Sequence, residues 1–137
     1  MKRRHTLASI LCITALPLMS ASAAESAAQQ IVTHHLKVSG KGDVEAVAGD
    51  YADNAILILP DAVIRGKKAI RNTFAKLLAP GPSQLAPVVI EKRVFEENIG
   101  YIVWTQNAGK PGEVRGSDTF VVRNGKIVAQ TVMMVPK

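Results

Sequence analysis

Cysteine is almost absent from this 137-residue chain, whose single cysteine, Cys12, lies close to the N-terminus. A single cysteine cannot form a disulfide bond within the chain, so the fold does not depend on one. A domain of this size does not need disulfide bonds. Aromatic residues make up only 4% of the chain, and the basic residues are scattered along it. This composition does not indicate a surface that binds nucleic acid, which combines clustered cations with stacking rings.

The first 23 residues have the composition of a secretory signal peptide. Residues 2–4 are basic, residues 7–19 are mostly apolar, and residues 20–24 are small, with an Ala-x-Ala pattern. The apolar part is shorter than the roughly 20 residues that a membrane-spanning helix needs. We expect cleavage after Ala23, or after Ala24 as second choice, and a periplasmic protein that has no membrane segment after cleavage. The alternative is an uncleaved N-terminal anchor.

Cleavage would leave one domain, residues 24–137, which is long enough to bury a single hydrophobic core. It would remove three of the 17 basic residues and none of the 11 acidic ones, so the net charge would fall from +6 to +3. The mature domain would then be only mildly basic.

Helix signals dominate the first part of this domain and strand signals the second. The hydrophobic spacing predicts three helices, at about residues 24–39, 43–52 and 67–78. It predicts six strands, at residues 55–59, 62–65, 88–96, 100–106, 114–123 and 126–135. Between the last two strands, Asn124-Gly125 is a strong signal for a tight hairpin. The order indicates an α+β fold, with a curved mixed or antiparallel sheet wrapped around the N-terminal helices.

Asp118 is the unusual residue of the fifth strand. It has the same parity as Phe120 and Val122, so all three side chains point to one face of the strand. If that face is the interior, a carboxyl group lies among hydrocarbon and its pKa is raised, because burial disfavours the charged form. Such a group could serve as an acid or base, or donate a hydrogen bond to a carbonyl. The alternative is a structural role, bonded to a neighbouring hydroxyl or backbone amide.

Several short stretches together resemble the nuclear transport factor 2-like superfamily, and within it the branch of SnoaL-like and ketosteroid isomerase-like proteins. They are Gly42-Asp43-Val44-Glu45, Tyr51-Ala52-Asp53-Asn54-Ala55, Gly66-Lys67-Lys68-Ala69-Ile70 and Asn124-Gly125-Lys126-Ile127-Val128. The resemblance covers about residues 27–135. It implies a cone-shaped fold in which helices and a strongly bent sheet enclose one deep pocket.

The resemblance also implies places for the residues that act in the isomerases. The catalytic aspartate of that family would fall on Leu59, which cannot move a proton. The tyrosine that donates to the oxyanion would fall on His35, and the protonated aspartate on Asp118. In related cyclases a His-Trp-Asp stretch follows the last hairpin, whereas this chain continues with residues 129–132, Ala-Gln-Thr-Val.

We therefore expect Asp118 and His35 to be the catalytic residues, if there is catalysis. The expected pocket is lined by Tyr51, Leu59, Phe74, Tyr101, Phe120, Gln130 and Met134. His34 and His35 are neighbours on a helix and point about 100° apart, so they cannot readily bind one metal ion together. We expect neither a metal nor a cofactor. His35 could equally be a solvated surface residue.

Two further features leave alternatives open. Tyr101 and Trp104 have opposite parity on the fourth strand, and the resemblance favours Tyr101 in the pocket and Trp104 on the outer sheet face. An exposed Trp104 beside Ile102 would suit a homodimer interface. Basic residues crowd the start of the third helix, at positions 67, 68 and 71. They are either a solvated face or an anion site that uses the helix N-terminus.

The sequence thus predicts an exported protein that binds a small, largely apolar molecule in its cone. One hypothesis is an enzyme of the isomerase, cyclase or dehydratase type, with Asp118 as acid and His35 as possible base. The second is a binding module without turnover, which Leu59 favours. The third is an assembly role through the outer face of the sheet.

Overall fold

The computed structural model describes residues 24–81 and 85–136. Three helices are present in them: α1 (Ala27–Gly40), α2 (Val44–Gly49) and α3 (Lys67–Leu77). The strands are β1 (Tyr51–Leu59), β2 (Ala62–Arg65), β3 (Val88–Glu96), β4 (Ile99–Gln106), β5 (Val114–Arg123) and β6 (Lys126–Pro136). The predicted signal peptide lies outside the described residues.

The six strands form one curved, unclosed sheet in the order β2-β1-β6-β5-β4-β3. Strands β1 and β6 are parallel and every other neighbouring pair is antiparallel, so the sheet is mixed. The predicted α+β class is confirmed. None of the helices in residues 24–81 and 85–136 has the length and hydrophobicity that a membrane span requires.

The helices begin where short polar side chains can cap them. Ser26 accepts a hydrogen bond from the backbone N–H of Gln29 at 3.1 Å, and Asp43 accepts one from Ala46 at 3.0 Å. Helix α3 follows Gly66, whose φ of 85° places it in the left-handed region that favours glycine. The N–H of Gly66 donates to the Ala55 carbonyl at 2.8 Å, which ties the start of α3 to β1.

The hairpin between β5 and β6 has the geometry that its sequence predicts. Asn124 and Gly125 both have positive φ, at 50° and 69°, as a type I′ turn requires of its two central residues. The turn fixes the pairing of β5 with β6 and hence which side chains share a face.

The second helix is shorter than predicted, and β1 begins four residues earlier than predicted. Helix α2 ends at Gly49, and Tyr51 already pairs with Ile127 of β6. The N–H of Ile127 donates to the Asp50 carbonyl at 2.9 Å, and Tyr51 is fully buried. This contact is distant in the sequence, so local helix propensity could not reveal it.

The core lies between the helices and one face of the sheet, which we call the inner face. Its largest fully buried side chains are Tyr51, Phe120, Leu57, Ile70, Ile102 and Ile127. The opposite, outer face carries Tyr101, Val103, Ser117 and Met133. Directly opposed residues of antiparallel strands share a face, so Ile102, which pairs with Asp118, places that carboxylate on the inner face.

Candidate functional site

Asp118 lies on the inner face of β5, as the strand parity predicts. It is 9% exposed, and the side chains of the same parity, Phe120 and Val122, are 0% and 2% exposed. Opposite it stand Ile102 on β4 and Val132 on β6. The carboxyl group is therefore set in an apolar wall between two neighbouring strands.

Two side chains donate hydrogen bonds to this carboxyl group, one to each oxygen. Trp104 Nε1 donates to Asp118 Oδ1 at 2.8 Å, and Gln130 Nε2 donates to Asp118 Oδ2 at 2.7 Å. Tyr51 in turn donates from its hydroxyl to Gln130 Oε1. These four residues form a directed chain of donors that ends at Asp118, and we call them the Asp118 cluster.

Burial raises the pKa of Asp118, although the hydrogen bonds from Trp104 and Gln130 and the charge that His35 can carry act in the opposite direction. Burial also raises the pKa of Tyr51 well above its ordinary value, and the negative charges of Asp118 and Asp50 add to this. Tyr51 therefore stays a neutral donor. Asp118 therefore keeps its proton to a higher pH than a solvent-exposed aspartic acid does.

Trp104 reaches Asp118 because the residue opposite it on β5 is Gly116. A Cβ atom at Gly116 would lie 2.6 Å from Cε2 of the indole and 2.7 Å from Cη2, far inside van der Waals contact. The indole ring thus lies flat over a bare stretch of backbone. Glycine inside a strand is typical where another group must approach the backbone closely, and that signal was present in the sequence.

The expected orientations of Tyr101 and Trp104 are wrong. Trp104 lies on the inner face and packs against the core, while Tyr101 pairs with Thr119 on the outer face. Both parities of β4 carry apolar side chains, so hydrophobic pattern alone does not distinguish them. The close fit of Trp104 over Gly116 favours the observed register.

His35 is buried, at 3% exposure, but it does not bond to Asp118. Its ring makes edge contacts with Tyr51, Phe74 and Phe120, with centroids 5.4, 5.7 and 5.6 Å away. Its Nδ1 lies 3.4 Å from Asp50 Oδ2 without hydrogen-bond geometry. The proposed His35–Asp118 couple is thus absent from the hydrogen bonds of the described residues.

Asp50 is a second buried carboxylate, at 4% exposure, and no pattern in the sequence indicates it. His34 Nδ1 lies 2.8 Å from its Oδ1, and His35 approaches the other oxygen. The neighbouring histidines therefore converge on one carboxylate. No group of three or more His, Cys, Asp or Glu side chains within residues 24–81 and 85–136 could hold a metal ion.

The other expected pocket residues are distributed between core and rim. Leu59 and Phe74 are partly buried against the core, and Gln130 is 3% exposed. Met134 pairs with Gly116 on the inner face and is 42% exposed. The fold therefore brings Tyr51, Gln130 and Asp118 into direct contact and leaves Met134 near the edge of the inner face.

An apolar cavity of about 640 Å³ opens between α1, the end of α3 and strand β3. Its apolar lining includes Leu36, Leu77, Leu78, Leu85, Val88 and Ile90. Leu77, near the end of α3, is 55% exposed at this cavity. Ile90 pairs directly with Trp104 on β4, and β4 separates β3 from β5. Trp104 thus stands between the cavity wall and Asp118 in the order of the strands.

Two other cavities lie away from the inner face. One, of about 520 Å³, adjoins the basic start of α3, where Arg71 Nε donates to Glu45 at 2.9 Å and Lys67 lies 2.7 Å from Asp53. These ion pairs involve two of the three cations that line this cavity, Lys67, Lys68 and Arg71, and agree with a solvated face. The other, of about 550 Å³, lies on the outer face beside Tyr101 and Met133.

The Asp118 cluster has limited chemical options. Each carboxyl oxygen already accepts one bond from the wall, and each keeps a second lone pair. In its protonated form the group could donate a hydrogen bond to a carbonyl oxygen. Leu59, at the place that the resemblance assigns to a base, has no polar side-chain atom and is partly buried against the core.

The family comparison identifies a SnoaL-like domain over residues 32–130, which is most of the chain. No curated protein matches the chain. Among solved structures, an NTF-2 like protein of unknown function from Burkholderia xenovorans LB400 has a TM-score of 0.68 at 20% identity, covering 81% of this chain and 84% of that one.

Two further solved structures have the same fold at low identity. A candidate polyketide cyclase from Sinorhizobium meliloti has a TM-score of 0.63 at 18% identity, covering 76% of this chain and 94% of that one. A hypothetical protein with a ketosteroid isomerase-like fold from Catenulispora acidiphila, crystallised with trimethylamine, has a TM-score of 0.61 at 17% identity, covering 76% and 84%. At these identities the likeness concerns the fold.

Proposed function

The chain belongs to the SnoaL-like domain family, and from this premise we propose that it binds a small, largely apolar molecule between its helices and the inner face of its sheet. The observation that carries the proposal is the cavity of about 640 Å³ whose wall residue Ile90 pairs with Trp104. Small-molecule sites are typically apolar hollows of this size with a few fixed polar groups.

The cavity supplies the apolar hollow, and the Asp118 cluster supplies the fixed polar groups. Leucine, isoleucine and valine side chains provide the apolar surface, and covering it stabilises a complex by about 25 cal/mol per Å² before the costs of association. Trp104 and Asp118 lie behind the wall, where a bound molecule that displaces Ile90 or the indole would meet a hydrogen-bonding group.

Two adjacent valines of β3 provide a matched test of the site. Val88 and Val89 are both 52% exposed, but Val88 lines the cavity while Val89 pairs with Thr105 on the other face of the sheet. Native mass spectrometry of protein purified from its own host should show a retained small molecule. Val88→Phe should abolish its retention and Val89→Phe should preserve it. Equal retention in both variants would contradict the proposed site.

A second candidate function is acid–base chemistry of the isomerase, cyclase or dehydratase type. The raised pKa of Asp118 favours it, because a neutral carboxyl group can donate to a developing oxyanion. Incubating a host metabolite extract with wild-type protein and with Asp118→Asn would test it. A metabolite consumed only by the wild type supports turnover, whereas identical metabolite profiles support binding alone.

A homodimer through the outer face is also proposed. Met133 and Val135 are 59% and 55% exposed there, beside the cavity that Tyr101 lines. Met133→Glu should convert a dimer into a monomer in analytical ultracentrifugation. Val63→Glu, at a 53% exposed position of the edge strand β2, is the control. A wild-type protein that is monomeric at high concentration would overturn this proposal.

Export to the periplasm rests on the composition of residues 1–23. A cell fractionation experiment tests it directly. The protein should appear in the periplasmic fraction at the mass of residues 24–137, and removal of residues 2–22 should leave it in the cytoplasm. Full-length protein in the membrane fraction would support the uncleaved anchor instead.

A further inference from the structure

The mouth of the apolar cavity carries two cations from different elements. Lys37 extends from α1 and Arg93 from the edge strand β3, and both line the cavity. Arg93 pairs with Ile102, an inner-face residue, so its side chain is directed to the same side of the sheet as Asp118. One helix and one strand thus bring positive charge to the rim of a hydrophobic hollow.

No carboxylate of the described residues neutralises these two cations. Lys37 and Arg93 take part in none of the ion pairs there, and no described lining residue of the cavity is acidic. The cavity at the start of α3 is different, since its Arg71 pairs with Glu45 and its Lys67 with Asp53. The positive potential at the apolar cavity is therefore not neutralised within residues 24–81 and 85–136.

A hydroxyl group at the same cavity also lacks a partner. Ser39 lines it, and its Oγ is buried with no hydrogen-bond partner among the described residues. An unsatisfied buried hydroxyl is costly, and most such groups in proteins are bonded. Gln106, by contrast, is anchored to the Ala86 carbonyl at 3.3 Å. Rotation of the Ser39 side chain would bring this hydroxyl to the cavity, where an oxygen atom of a bound molecule could satisfy it.

We propose that the molecule bound in this cavity is an amphipathic anion, a monocarboxylate with an apolar chain or ring. This rests on the proposed binding function and specifies its ligand class. The carboxylate lies at the rim, near Lys37, Arg93 and Ser39. The apolar part lies along the leucine-rich lining and ends toward Ile90, on the side of Trp104. Such an orientation directs the end remote from the carboxylate toward Asp118.

The test uses three probes built on an unbranched chain of ten carbons, namely decanoate, 1-decanol and decyltrimethylammonium, each below its micelle concentration. Trp104 is the only tryptophan of the chain, so its fluorescence reports on the wall of the cavity. Decanoate should bind most tightly and the ammonium least. Isothermal titration calorimetry would give the affinities independently.

Variants that remove positive charge test whether Lys37 and Arg93 bind the carboxylate of decanoate. Lys37→Gln combined with Arg93→Gln should weaken decanoate binding by about threefold to tenfold, since solvent weakens each exposed ion pair. The same variant should leave 1-decanol binding unchanged. Lys92→Gln combined with Lys110→Gln removes the same net charge at exposed positions outside the cavity and is the matched control.

The outcomes separate the two proposals. Equal affinity for decanoate and 1-decanol, or equal loss in both double variants, would overturn the anion preference but leave the proposed binding function standing. If no probe binds, or if Val88→Phe leaves decanoate binding unchanged, the cavity is not the site and both proposals fail. Loss of decanoate binding in the Lys37/Arg93 variant alone supports the inference.

Discussion

Two buried carboxylates of this molecule are held in opposite ways. Asp118 accepts hydrogen bonds from an indole and an amide, neither of which can take up a proton. Asp50 faces the imidazoles of His34 and His35, which can carry charge. The donors of Asp118 lie on strands of the sheet, whereas the histidines of Asp50 lie on helix α1.

The two carboxylates differ in the kind of partner that surrounds them. Neutral donors fix the orientation of Asp118 but contribute no full charge, so burial dominates and raises its pKa. At Asp50, by contrast, two imidazole rings face the two carboxylate oxygens. The Asp118 cluster therefore holds a carboxyl group of raised pKa in one fixed orientation.

The largest expected effect comes from filling the space under Trp104. Gly116→Ala places a Cβ inside the indole ring, so the ring must move and its bond to Asp118 is lost. We expect a loss of about 2 to 3 kcal/mol in the free energy of unfolding, which urea denaturation measures.

The control for this substitution is Gly49→Ala, since a Cβ at Gly49 meets nothing within 4 Å. Its stability should be unchanged or slightly higher, because alanine favours a helix. A blue or red shift of the Trp104 emission in Gly116→Ala alone would show that the indole has moved. Unchanged emission and stability would mean that the space between Gly116 and Trp104 can accommodate a Cβ atom.

The next effect concerns the start of the donor chain. Tyr51→Phe leaves Gln130 Oε1 buried without the tyrosine hydroxyl, which we expect to cost about 1 to 2 kcal/mol in the free energy of unfolding. Tyr101→Phe, on the outer face, should change it by less than about 0.5 kcal/mol. Equal losses of unfolding free energy in the two variants would show that the Tyr51 hydroxyl stabilises the fold no more than an outer-face hydroxyl does.

The third effect is a dependence on pH. Because the pKa of Asp118 is raised by burial, the folded protein binds its proton more tightly than the unfolded chain does. Between the unfolded pKa of about 3.9 and the raised folded value, this contribution to stability should decrease as the pH rises, and then stay constant.

Unfolding measured from pH 4 to pH 8 checks this dependence. The stability of wild type relative to Asp118→Asn should fall across that range. Asp61→Asn, in the exposed turn between β1 and β2, is the control and should run parallel to the wild type. A wild-type curve that rises relative to Asp118→Asn would show that the hydrogen bonds outweigh burial.

Strand patterning predicted much of this architecture. It failed where the position of a side chain depends on contacts between different strands or helices. The parity of β5 and the Asn124-Gly125 turn fixed the inner position of Asp118, because both act over short distances. The orientation of Trp104 depends on its fit over Gly116, a contact across strands that the parity of β4 does not contain. A glycine within a predicted strand was the available signal.

Asp50 escaped prediction for a different reason. It follows the last residue of a short helix and belongs to no motif that indicates a function. Its burial results from the packing of α1 beside α2 and from the bond between its carbonyl and Ile127. These contacts join parts of the chain that are far apart in sequence, so only the folded structure shows that both histidines reach one carboxylate.

The smallest expected effect comes from removing His34, one of the two histidines that face Asp50. The side chain of His34 is 52% exposed and that of His35 only 4%. His34→Ala should therefore lower the free energy of unfolding by about 0.5 kcal/mol, since solvent weakens exposed polar pairs. His35→Ala should cost about 2 kcal/mol or more, because it leaves a cavity among three aromatic rings. If urea denaturation reversed this order, the charge on Asp50 rather than the ring packing would be what holds α1 against the sheet.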